Sequence, residues 1–185
     1  MQHIDRQTSC ACCGGLLHAA LGRRALLGGA AALAGMMFLA PRLVRAASGN
    51  YEAMVLSCID PRMQEPVHKY LAGRGLTGQV SQFIIAGAAI GAVAPKFADW
   101  HKAFWDNLAV SADLHHIKSV IAIDHRDCGA AKLAYGEDKV TKPDIETETH
   151  KAALAEFRKT AGERQPKLKV ETMLMALDGS ILTFS

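Results

Sequence analysis

Apolar and polar positions alternate in blocks along residues 47–185, and the blocks predict short strands separated by amphipathic helices. Met54-Val55-Leu56-Ser57 is a compact apolar run that ends at Cys58 and is followed by Pro61, which predicts a buried strand stopping at a loop. Residues 63–73 have helical spacing, with Val67, Tyr70 and Leu71 on one side, and Gly73, Gly75 and Gly78 mark its end. Val80 to Ala86 predicts a second strand, which runs into the small residues Gly87-Ala88-Ala89. Phe97, Trp100, Phe104, Leu108 and Ser111/Ala112 recur at three-to-four spacing and predict a helix over 97–114. Ile117 to Ile123 is β-branched and apolar on both faces, the pattern of a central parallel strand, and it ends at Asp124-His125. Cys128-Gly129 opens a helix through Tyr135, residues 136–146 read as a polar loop, and 147–161 as a polar surface helix. Leu168 to Leu177 predicts a fourth strand, which Asp178-Gly179 turns toward a last apolar stub, Ile181–Phe184. Strands alternating with helices predict one α/β domain, with a mostly parallel central sheet flanked by helices.

The first 46 residues follow a different plan. A polar start ends in Arg23-Arg24, residues 25–40 form an uncharged run rich in Gly and Ala, and Pro41-Arg42 breaks it. Val44-Arg45-Ala46 offers the small residues that a signal peptidase requires. Residues 1–46 are expected to be an export signal peptide of the twin-arginine type, recognised by the twin-arginine export machinery. Cleavage is expected near Ala46/Ala47, leaving residues 47–185 in the periplasm or otherwise exported. An uncleaved membrane anchor is the alternative, but a spanning helix wants about 20 apolar residues and this run is shorter.

Setting that segment aside changes the charge. The whole chain is +3, yet residues 1–46 carry five arginines against the single acid Asp5. The remainder is slightly acidic, so the basic balance belongs to the export segment and no nucleic-acid partner is expected. Cys10, Cys12 and Cys13 fall in the same segment, which leaves Cys58 and Cys128 in residues 47–185. Two cysteines in an exported protein suggest first a Cys58–Cys128 disulfide.

Their surroundings suggest otherwise. Cys58 stands where the first strand stops, and His125 where the third stops, with Cys128 three residues on. In open α/β sheets, ligand sites lie at the carboxyl ends of the strands. Two thiolates and an imidazole form one of the donor sets of catalytic zinc, and they favour zinc over magnesium or calcium. Three protein donors leave a fourth position for water, whose pKa zinc lowers to about 7. In Cys58-Ile59-Asp60-Pro61-Arg62, an arginine beside a carboxylate keeps it ionised and oriented. Such a carboxylate could accept a hydrogen bond from the metal's water, bind the metal itself, or be an ordinary loop ion pair.

Cys58-x-Asp60-x-Arg62 followed by His125-x-x-Cys128-Gly129 resembles the signature of the β-class carbonic anhydrases, and the likeness extends to the final MALDGSILTF segment. The resemblance implies a β-carbonic-anhydrase-like fold and one Zn2+ per chain on Cys58, His125 and Cys128. It implies that Asp60 and Arg62 are a catalytic dyad, and that the chain forms a homodimer. The implied reaction is reversible hydration of carbon dioxide to bicarbonate by a zinc-bound hydroxide. The family's Arg-Asn-Ala-Gly stretch after the second strand corresponds here to Ile84-Ile85-Ala86-Gly87. Ala86 and Gly87 are then the expected substrate-lining residues, with isoleucines in place of the polar pair. That departure keeps two alternatives open: a hydrolase of carbon disulfide or carbonyl sulfide on the same site, and a non-catalytic zinc-binding exported protein.

The remaining histidines carry less weight. Of His115 and His116, one is expected to cap or pack before the third strand and the other to be exposed, and His68, His101 and His150 to lie on helix surfaces. Asp127 is expected to brace its turn, Asp124 to support a metal donor from behind, and Trp100, Phe104 and Trp105 to serve core and subunit interface.

Overall fold

A computed structural model describes residues 49–185. The export segment expected over 1–46 lies outside the described residues. Five strands form one sheet in the order β2-β1-β3-β4-β5. They are β1 (Ala53–Ser57), β2 (Val80–Ile84), β3 (Ser119–His125), β4 (Lys169–Met175) and β5 (Ile181–Phe184). The first four run parallel, and β5 returns antiparallel on β4. Five α-helices connect them: α1 (Gln64–Gly73), α2 (Ala89–Val93), α3 (Ala98–His115), α4 (Gly129–Tyr135) and α5 (Pro143–Arg164). The expected α/β architecture is therefore the observed one.

Side chains alternate across the central strands and build two cores. Leu56, Val120 and Ala122 face α2, α3, α4 and α5, packing with Phe104, Leu108, Leu154 and Phe157. Val55, Ile121, Ile123, Met173 and Met175 face the other way, onto Met63, Val67 and Leu71 at α1. One face of the sheet thus carries four helices and the other carries one. β1 and β3 are central and buried along nearly their whole length, while the edge strands β2 and β5 are largely open.

Three departures from the sequence reading have physical causes. The small-residue stretch after β2 folds into α2, because Ala and Gly let residues 89–92 pack buried against the sheet. Gly91 sits so close that a Cβ there would lie 2.4 Å from the Ala86 carbonyl oxygen. The loop expected over 136–146 is shorter, since Pro143 is the first residue of α5, a position where its missing N–H costs nothing. The helix expected to be a polar surface element is 22 residues long and buries Glu146, His150, Ala153, Leu154, Phe157 and Ala161 along one stripe. Two of those six are ionisable residues, and they disguised the stripe. β3 also runs two residues further than Ile123, so Asp124 and His125 belong to the strand.

Candidate metal centre

β1 and β3 are hydrogen-bonded neighbours, with Ser57 opposite Ile123. Parallel pairing therefore brings their carboxyl ends together, and Cys58 follows one strand as His125 closes the other. Cys128 is the residue from which α4 departs. The sulfurs of Cys58 and Cys128 and a ring nitrogen of His125 all lie within 4.8 Å of one another. Donors of a tetrahedral zinc site stand roughly 3.3–3.8 Å apart, given metal–ligand distances of about 2.0–2.3 Å. The donor atoms are thus within about 1 Å of that spacing. Both cysteines are buried and free, so the disulfide expected as the alternative is not formed.

His125 is prepared for such a role. Its Nδ1 bonds the Arg126 carbonyl oxygen at 2.8 Å. A carbonyl can only accept, so Nδ1 carries the proton and Nε2 is left with its lone pair. That Nε2 is buried without a hydrogen-bond partner among the described residues. A buried acceptor left orphaned beside two sulfurs is the geometry of a metal donor, and the set suits zinc. The thiols also differ. The Cys128 thiol and the backbone N–H of Gly87 pull the pKa of Cys58 down, while proximity to Cys58 and burial push that of Cys128 up. The Gly87 N–H donates to the Cys58 sulfur at 3.2 Å.

Asp60 and Arg62 stand beside these donors. Asp60 accepts from the Arg62 backbone N–H (2.9 Å), from Nε (3.0 Å) and from Nη2 (2.7 Å). Hydrogen bonds from Arg62 hold the Asp60 carboxyl down at about 2. Among the described residues the donor cluster contains only Cys58, His125 and Cys128, and Asp60 is turned to Arg62 instead. Arg62 also reaches Asp127, through Nη1 to the carboxylate at 2.7 Å and through Nη2 to the carbonyl at 3.1 Å. One guanidinium thereby staples the Cys58 loop to the His125–Cys128 turn. Asp127 sits at φ 56°, a left-handed backbone uncommon for a non-glycine residue, and braces that turn as expected.

Two residues of α5 complete the site, and both were misplaced by the sequence reading. Glu146, expected in a loop, is buried; it accepts from the Asp127 N–H at 2.6 Å and from Arg126 at 3.0 Å. His150, expected on a helix surface, is fully buried and bonds Asp124 at 2.9 Å. Their separation of four residues places them on successive turns of one face, and that spacing was the available signal. His115 packs as expected, bonding Ser81 at 2.7 Å and meeting Tyr51 edge-on. His101 bonds the Ala94 carbonyl. Phe104 and Trp105 are core residues, while Trp100 is partly exposed and stacks on Phe97.

The two isoleucines that replace the expected polar pair part company. Ile85 packs into the core, whereas Ile84 is 53% exposed at the end of β2. Ile84 and Cys58 share the wall of a cleft of about 370 Å³ with Val67, His68 and Gln82. Ile59, 57% exposed, follows Cys58 directly. A larger hollow of about 550 Å³ beside Tyr135, Thr149 and Glu156 has none of the three donors on its wall.

Comparison with known proteins gives the arrangement a family. A family model described as "Putative carbonic anhydrase" matches residues 48–177. An uncharacterized protein of Rickettsia bellii (strain RML369-C) is 37% identical over 128 residues, which are 69% of this chain and 78% of that protein. An uncharacterized protein of Rickettsia conorii (strain ATCC VR-613 / Malish 7) is 33% identical over 128 residues, 69% of each chain. Among solved structures, that of the β-carbonic anhydrase CcaA aligns with a TM-score of 0.50 over 88% of this chain and 94% of its own. At 14% identity that likeness is one of fold. By sequence over most of its length, this chain belongs to the carbonic anhydrase family that the matched model describes.

Proposed function

We propose that the protein is a zinc-dependent carbonate dehydratase, hydrating carbon dioxide reversibly to bicarbonate. The observation that carries this reading is the orphaned, buried Nε2 of His125 beside two free, buried sulfurs. Cys58, His125 and Cys128 would hold one zinc ion per chain. When bound, the metal supplies a Lewis acid that activates water near neutral pH. Asp60 stays ionised because of Arg62, and serves as the acceptor that orients the attacking water. Arg62 fixes that carboxylate and keeps it from entering the donor set. Ala86 and Gly87 line the substrate side, and the Gly87 N–H spreads the charge of the Cys58 sulfur.

Metal content and carbon dioxide hydration by stopped flow test the reading on purified protein. About one zinc per chain is expected, with two free thiols in residues 47–185 and hydration well above background. Protein free of zinc removes the metal reading; zinc-loaded protein at the background rate leaves a non-catalytic zinc-binding protein. A second activity, hydrolysis of carbon disulfide or carbonyl sulfide, is favoured by the exposed apolar Ile59 and Ile84 beside Cys58. Faster turnover of either sulfur compound than of carbon dioxide would reverse the order of the two.

Export through the twin-arginine route to the periplasm and assembly as a homodimer belong to the same proposal. The first is supported by Arg23-Arg24 ahead of the apolar run over 25–40. The second is supported by the open edge of β2, where Ile84 is exposed. Fractionation that finds the protein in the cytoplasm, or a sedimentation mass of one chain, would remove each in turn.

A further inference from the structure

Asp124 and His150 form a fully buried polar pair that the proposed chemistry does not use. Both side chains have no exposure to solvent. Burying such groups is costly unless their hydrogen bonds are well placed, so the partners show what the pair holds. His150 donates through Nδ1 to Asp124 Oδ2 at 2.9 Å. The other carboxylate oxygen, Oδ1, accepts the backbone N–H of Ala89 at 2.9 Å.

Ala89 is the first residue of α2, and Ala88 before it supplies no side-chain cap. Asp124 on β3 therefore caps this helix from outside it. The bond also ties down an unusual turn. Gly87 lies at φ 79°, and Ala88 at φ 48° and ψ −113°, a conformation that strains a non-glycine residue. The turn is confined on a second side, since a Cβ on Gly87 would lie 2.9 Å from the Ala130 Cβ. Its product is one aimed donor: the Gly87 N–H, 3.2 Å from the Cys58 sulfur.

We propose that Asp124 and His150 are positioning residues which, by holding the Gly87–Ala89 turn, keep the Gly87 N–H on the Cys58 sulfur. This rests on the metal-binding reading above and goes beyond its donor set. Asp124 adjoins His125 in sequence, yet it does not bond that ring, whose Nδ1 is taken by the Arg126 carbonyl. Its support goes to the opposite side of the cluster, through the turn to Cys58. A hydrogen bond to a thiolate draws charge from the sulfur, and so makes a metal held there more electrophilic. α5 thus reaches both sulfur-bearing segments: His150 acts on the Cys58 side, and Glu146 on the turn that leads to Cys128.

The test uses the full chain loaded with a spin-half cadmium isotope and read by NMR. In the wild type, the Gly87 amide proton is expected to show coupling to the metal across the N–H···S bond. Asp124→Asn keeps an oxygen for the Ala89 N–H and should retain the coupling. Asp124→Ala should lose it, with metal affinity weakened about tenfold or more. His150→Leu fills the same space without a donor and should weaken the coupling; it serves if Asp124→Ala does not fold. A wild-type protein that takes up cadmium stoichiometrically without coupling at Gly87 overturns the positioning pair and leaves the metal reading standing. So does folded Asp124→Ala or His150→Leu protein with unchanged coupling and affinity. A wild type that binds no cadmium overturns the metal reading and this inference with it.

Discussion

Asp60 is acidic enough that its protonation lies far from any physiological pH. Its carboxyl is held at about 2 by hydrogen bonds from Arg62, below the ordinary aspartate value of about 3.9. A depressed carboxyl contributes stability that is present above the unfolded value and lost as pH falls through the folded one. Asp60 therefore stays charged wherever the protein works. Asp60→Asn is expected to lower carbon dioxide hydration at least tenfold while zinc content and the pH midpoint of the remaining rate stay unchanged. A midpoint that moves with the substitution would assign the titration to Asp60 and contradict its low pKa. At this scale the sequence was a good guide where chemistry is local. Cys58, Asp60 and Arg62 could be named from one short motif and His125 and Cys128 from another, each at the end of a readable strand. Glu146 and His150 could not, because their partners lie 19 and 26 residues away.

Among the elements, α5 departs furthest from its sequence pattern. Its buried stripe has helical spacing, but an acid and a histidine interrupt the apolar signal at its first two positions. Those two face the candidate site, and the apolar remainder faces the core. Phe157 lies fully buried, with its ring 5.5 Å from both Phe104 and Trp105. Phe157→Ala should cost about 3–5 kcal/mol in urea unfolding, the range for emptying an aromatic site in a packed core. A loss under about 1 kcal/mol would mean that α5 is not packed as described. The strands were easier to read. β3 is apolar on both faces because it is central, and that run stands out without alternation. α2 was hidden for the opposite reason: its five residues are too small and too few to show a period.

For the molecule as a whole, metal binding at the candidate site would be coupled to folding, since the donors after β1, at the end of β3 and at the start of α4 meet only in the folded chain. A ligand that binds the folded state alone, at about a thousand times its dissociation constant, adds roughly 4 kcal/mol. Removing metal with a chelator is therefore expected to lower the melting temperature by several degrees, with recovery when zinc is restored. Cys128→Ser protein should melt like the chelated wild type and gain nothing from zinc. A melting curve indifferent to both treatments would separate folding from metal.

Cys58 and His125 stand at the ends of β1 and β3, interior strands fixed by neighbours on either side, and Cys128 opens α4 just beyond, whereas Ile84 rides on β2, bound along one side only. Grip and gateway are consequently mounted on different parts of the frame. A lineage can exchange the residue at the gateway, polar for apolar or the reverse, while inheriting the grip intact. Selectivity at such a site would then be free to change without disturbing the residues proposed to hold the ion.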